Sequence, residues 1–147
     1  MDFDTTVKLR IYQTIAETTK APSSGEVAEM LGVSKEQVDD AYQRLHAKRL
    51  LVPEPDDPSQ IRMAPPFSGI PTPFRVDIEE KSYFANCIWD ALGVAAALQK
   101  DAIVNATDGY TNEPILLEVK NRAVVPQECV VHFAVPAALW WKDVIYT

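Results

Sequence analysis

The stretch SSGEVAEMLGVSKEQVDDAYQRL, residues 23–45, decides the first half of the fold. Ser23 is followed three positions on by Glu26, and Ser34 by Gln37. In each pair the hydroxyl can accept a backbone N–H at a helix start while the longer side chain returns the bond, so two helices begin here. Gly32 supplies the turn between them, Ala28 is small enough for close approach, and Val38 is the apolar residue that locks the second helix. That spacing is a helix-turn-helix.

Toward the N-terminus, Val7, Ile11 and Ile15 recur every four residues and mark a first amphipathic helix. Toward the C-terminus, residues 50–52 and 61–63 read as a short hairpin, which completes a winged-helix layout. A DNA reader of this kind needs a basic recognition helix. Its outward positions here are Lys35, Glu36, Asp39, Asp40 and Gln43, a net-negative face that pushes against phosphate. Residues 1–75 carry 9 basic and 11 acidic side chains, so this half is no more basic than the whole. The helix-turn-helix is therefore expected as a structural or lid-forming module, with DNA not an expected partner. A winged-helix transcriptional regulator is the alternative.

The whole chain has 147 residues, 47% apolar and 24% charged, the composition of an ordinary folded protein. Its 21 acidic against 14 basic residues give a net charge of -7, which argues against charge-driven binding to nucleic acid or an anionic membrane. The opening Met1-Asp2-Phe3-Asp4-Thr5-Thr6 has neither the basic start nor the apolar core of a cleaved secretion signal. The apolar run 91–98 is far short of the ~20 residues that span a bilayer. A cytoplasmic location is expected, with Cys87 and Cys129 resting as thiols rather than as a disulfide.

Seven of the eleven prolines fall between Pro53 and Pro73, which places a boundary there and divides the chain into units 1–65 and 66–147. Beyond it, Tyr83, Cys87, Asp90, Val94 and Leu98 recur at three or four residues and predict one long helix over 82–99. Val104, Ile115, Leu117, Val119, Val124 and the run 130–135 predict strands, with Asp108-Gly109 as a turn. The expected class is α+β, a three-helix winged-helix-like domain followed by a strand-rich domain with one long helix.

Asp90 is the only charged residue in 82–99, and it shares the apolar stripe with Cys87 one turn earlier. A carboxylate on such a face is expensive unless paired or protonated, and an i, i+3 thiol is close enough to exchange a proton with it. Taken singly, a helical cysteine is a small buried hydrophobe and a helical aspartate finds water or caps a neighbour. Their coincidence on one face is what singles the pair out. Cys129 and His132, three apart on the predicted strand, point to opposite faces. The two cysteines with His46 and His132 lack the paired spacings of a zinc site, and the scattered glycines form no phosphate loop, so no cofactor is expected.

The segments Pro66-Phe67-Ser68, Pro71-Thr72-Pro73-Phe74-Arg75-Val76, Tyr83-Phe84-Ala85-Asn86-Cys87-Ile88-Trp89-Asp90-Ala91-Leu92-Gly93, Val131-His132-Phe133-Ala134-Val135-Pro136 and Trp140-Trp141 resemble the organomercurial (alkylmercury) lyase family. The resemblance covers residues 60–147, and the N-terminal half is similar to that family's winged-helix-like domain that does not bind DNA. It implies protonolysis of a carbon–mercury bond to a hydrocarbon and Hg(II), with no organic cofactor or second metal. In that reading Cys87 is the first thiolate and Asp90 takes its proton and delivers it to carbon. Cys129, just before His132-Phe133, stands near the family's second mercury-binding cysteine. Tyr83, Phe67 and Phe74 are expected to line a pocket that excludes water and keeps Asp90 protonated. The implied partner is an organomercurial or another thiophilic-metal small molecule, and the alternative to catalysis is a regulator or a thiophilic-metal-binding protein.

Overall fold

A computed structural model describes residues 1–126 and 128–145. Helix α1, Phe3–Thr18, starts where the Asp2 side chain accepts the Thr5 N–H, and buries Asp4, Val7, Ile11 and Ile15. Helices α2, Ser24–Leu31, and α3, Lys35–Ala47, both open on the expected reciprocal caps, Ser23 with Glu26 and Ser34 with Gln37. Gly32 ends α2 at φ 66°, a left-handed conformation that glycine adopts without strain. Asp4 bridges α1 to α3 through Arg44 at 2.8 Å and Lys48 at 2.9 Å. Two of the basic residues of α3 and its end are thereby turned to an internal partner.

The expected hairpin forms as β1, Val52–Pro53, against β2, Ile61–Ala64, with Val52 opposite Met63. A third strand, β3, Phe67–Ser68, pairs with β2 across the two-residue turn 65–66. The second sheet holds β4 (Arg75–Ile78), β5 (Lys81–Phe84), β6 (Ala102–Thr107), β7 (Pro114–Lys120) and β8 (Ala123–Val125). Its order is β5-β4-β6-β7-β8 and every pairing is antiparallel. Helix α4, Ile88–Leu98, lies on this sheet with Ala91, Val94 and Ala95 buried in one cluster with Val76, Val104 and Leu117. The class is α+β, as expected.

Two expectations are corrected. Residues 82–99 are not one helix: Tyr83 pairs with Val76 in the β4–β5 hairpin, and the helix begins only at Ile88. The four-residue step from Tyr83 to Cys87 imitates a helical period, but pairing with β4 satisfies the Tyr83 backbone and its alternation puts the ring inward. Residues 130–135 are not a strand either. A β-branched apolar run needs a sheet edge to pair with, and β8 ends at Val125 just before Pro126, which has no N–H to donate. The segment instead folds back, and a 3₁₀ turn, Ala137–Lys142, carries Trp140 and Trp141 toward α4.

The core is continuous across the proline-rich stretch. Phe67, 2% exposed, stands between Tyr12 of α1 and Tyr83 of β5, with ring centroids at 6.2 and 5.7 Å. The Tyr12 hydroxyl donates to Pro65 O at 2.7 Å and the Tyr83 hydroxyl to Ala16 O at 2.8 Å. Among the described residues no helix is long and apolar enough to cross a membrane.

Candidate active site

Strand β5 ends at Phe84, and Ala85 is held by its N–H to Phe74 O at 2.9 Å and by a bridge to Phe67. Asn86 and Cys87 then turn the chain into α4, with Cys87 as the extended residue at the helix start (φ -152°) and Asp90 in the first turn. Cys87 and Asp90 are thus brought together at a helix N-terminus rather than along a helical stripe.

Both groups are half-buried. Burial pushes the Cys87 thiol up; the Asp90 and Trp89 N–H groups pull it down, and the Asp90 carboxylate adds to the rise. Burial likewise raises Asp90, against a hydrogen bond from Asn86 that favours its charged form. Asn86 Nδ2 donates to Asp90 Oδ2 at 2.9 Å, and lies 3.3 Å from Phe67 O and 3.5 Å from Pro66 O. Three acceptors around one nitrogen fix which way the amide faces. Its Oδ1 is buried with no partner among the described residues. The hydroxyl of Tyr12 is pushed up to about 12 by burial, with the Asp90 charge adding to it, so α1 also approaches the site.

Cys87 and Asp90 open on a cavity of about 560 Å³. Its walls include Phe74, Trp89, Phe133, Trp140 and Trp141, with Arg49 from the end of α3. Phe133 packs on Trp89 at 6.2 Å and on Trp140 at 5.1 Å, and Trp140 Nε1 donates to Val135 O at 2.7 Å. A second cavity of about 340 Å³ shares Phe74, Cys87 and Phe133 and adds His132.

Of the expected pocket residues, Phe74 lines both cavities. Tyr83 and Phe67 line neither; they are buried in the core and support the site from behind, because strand alternation turns both rings away from the cavity. Cys129 is exposed and lines neither cavity. With no strand at 130–135, the expected opposition of Cys129 and His132 across a sheet does not arise. Asn86 and Arg49 escaped the sequence reading. A polar residue inside an apolar run was the available signal for Asn86; nothing local pointed to Arg49.

A family model for MerB, alkylmercury lyase, matches residues 67–147. Among solved structures, the crystal structure of the mercury-bound form of MerB2 has the same fold, with a TM-score of 0.67 at 23% sequence identity. The match covers 86% of this chain and 62% of that one, so the chain spans less than two thirds of that protein's length. A search of curated proteins finds no match.

Proposed function

The chain belongs to the alkylmercury lyase family, and from that premise we propose that it is a carbon–mercury lyase which binds an organomercurial on Cys87 and protonates the departing carbon from Asp90. The observation that carries the reading is a thiol at the N-cap and a carboxyl in the first turn of α4, opening on an aromatic cavity and both pushed by burial toward their protonated forms.

The Cys87 sulfur displaces a weaker ligand from the soft metal centre of the substrate, forming an S–Hg bond, and its proton passes to the Asp90 carboxylate. A second sulfur on mercury adds electron density and weakens the carbon–mercury bond. Asp90 then gives its proton to carbon: the electron pair of the C–Hg bond becomes the C–H bond, the hydrocarbon leaves, and Hg(II) stays on sulfur. Asn86 holds Oδ2 of Asp90 and leaves Oδ1 to carry the proton. The aromatic walls shed water, which favours the neutral acid. Because Cys129 stands outside the cavity, we assign the second sulfur to a soluble thiol.

On this reading the partner is an organomercurial and the setting is the thiol-rich cytoplasm. Residues 1–65 serve unit 66–147 as a cavity wall through Arg49, Met63 and Pro65 rather than as a DNA reader. The test is incubation with phenylmercury and excess thiol between pH 5 and 9. Benzene and thiol-bound Hg(II) are expected; no hydrocarbon at any pH overturns the proposal. A second reading, a thiophilic-metal-binding protein without catalysis, is favoured by the exposed Cys129, which leaves one thiolate in the cavity. It predicts retention of Hg(II) with no hydrocarbon released.

A further inference from the structure

We infer that the cavity selects organomercurials whose carbon group bears an anionic substituent, a carboxylated aryl group above all, and that Arg49 is the residue that reads it. The inference rests on the carbon–mercury lyase reading and names the substrate class of the same site.

Arg49 is placed by the end of α3. Its φ of 60° is left-handed, and the turn is held by Arg49 N–H to His46 O at 2.8 Å and Leu50 N–H to Leu45 O at 2.9 Å. The side chain leaves this turn into the cavity, where its guanidinium carbon lies 6.0 Å from the Trp141 ring centroid. A guanidinium held over an indole by a cation–π contact keeps its edge N–H groups free for a carboxylate, which they match with two parallel bonds.

Neighbouring cations already have carboxylates: Arg44 and Lys48 hold Asp4, and Arg62 reaches Glu54 at 3.5 Å. Arg49 has no ion pair among the described residues. Arg49 is exposed, so it stands where the cavity meets solvent, and in a chain of net charge -7 a cation there without a carboxylate has an anion on the ligand as its natural complement.

Arg49 does not serve the reacting atoms. The side chain of Asp90 is held by Asn86, and no hydrogen bond or ion pair joins it to Arg49. The cavity is thus lined both by the sulfur and acid and, apart from them, by the guanidinium. Flat walls from Phe133 and Trp140 lie along it, and a volume of about 560 Å³ leaves ample room for an aryl ring. A ring with mercury at one end and a carboxylate at the other spans the two; a short alkyl group does not.

The experiment compares phenylmercury with 4-carboxyphenylmercury in the wild type, Arg49→Gln and Arg49→Lys, in a neutral soluble thiol. The wild type should show a KM about fivefold lower for the carboxylated substrate, the size of one solvent-accessible ion pair. The two kcat values should keep their ratio, because the carboxylate lies away from the bond that breaks. In Arg49→Gln the KM preference should fall to about one, and Arg49→Lys should recover part of it. An unchanged preference in Arg49→Gln, or none in the wild type, overturns the inference. If neither mercurial is cleaved, the lyase reading fails, while competition of each mercurial against the thiol for Cys87 still decides the role of Arg49 by the same ratio.

Discussion

Phe67→Ala tests whether the two halves of the chain share one core. The ring is 2% exposed and sits between Tyr12 and Tyr83, whose hydroxyls tie α1 to the end of β2 through Pro65 and β5 to α1 through Ala16. Truncation removes a buried aromatic side chain and leaves a cavity that the flanking helix and strand cannot fill, a loss of about 4 kcal/mol. For a chain of 147 residues that corresponds to a fall in Tm of roughly 10 °C. The assay is thermal unfolding followed by two probes. All three tryptophans lie beyond residue 66, so fluorescence reports that part, while α1, α2 and α3 supply most of the helical circular dichroism. Both midpoints should fall together, and Phe67→Leu should restore most of the loss. A fluorescence midpoint that moves while the helical signal stays would refute the shared core and make residues 1–65 an independent unit.

Asp90→Asn keeps the shape of the side chain but cannot give up a proton, so hydrocarbon release should fall about 10²–10⁴-fold while Hg(II) binding by Cys87 persists. The same variant should be more stable than the wild type at pH 7. The folded carboxyl is raised by burial, so its stabilising effect is present below the unfolded pKa and lost as pH rises through the folded one; the difference between the two proteins should close in acid, as urea titrations at pH 3 and 7 will read. Cys129, exposed, should be alkylated by iodoacetamide well before Cys87, which is half-buried and raised, and mass spectrometry of partly labelled protein gives the order directly. Gly69→Ala should fail to fold stably, because its Cβ would meet the backbone carbonyl of Ile61, only 1.8 Å from its ideal position; wild-type solubility and Tm would contradict that geometry.

Residues 23–45 determine their own structure, because a capping box, a glycine turn and a helical period are all completed within a few residues. The same holds for α1, whose Asp2 cap and four-residue apolar spacing are local, and for the turn after Thr107, where Asp108 accepts two backbone N–H groups. Where an element depends on a distant partner, the sequence alone misleads. Residues 82–84 fit a helix by period and are a strand because β4 lies beside them, and residues 130–135 are valine-rich like a strand but find no edge. The Cys87–Asp90 pair was legible because it is contained in one turn of chain. Asn86 gains its meaning from the carbonyls of residues 66 and 67, and Arg49 from Trp141. Those contacts join positions about 20 to 90 residues apart, and only the packing of both halves around one core brings them to the same cavity.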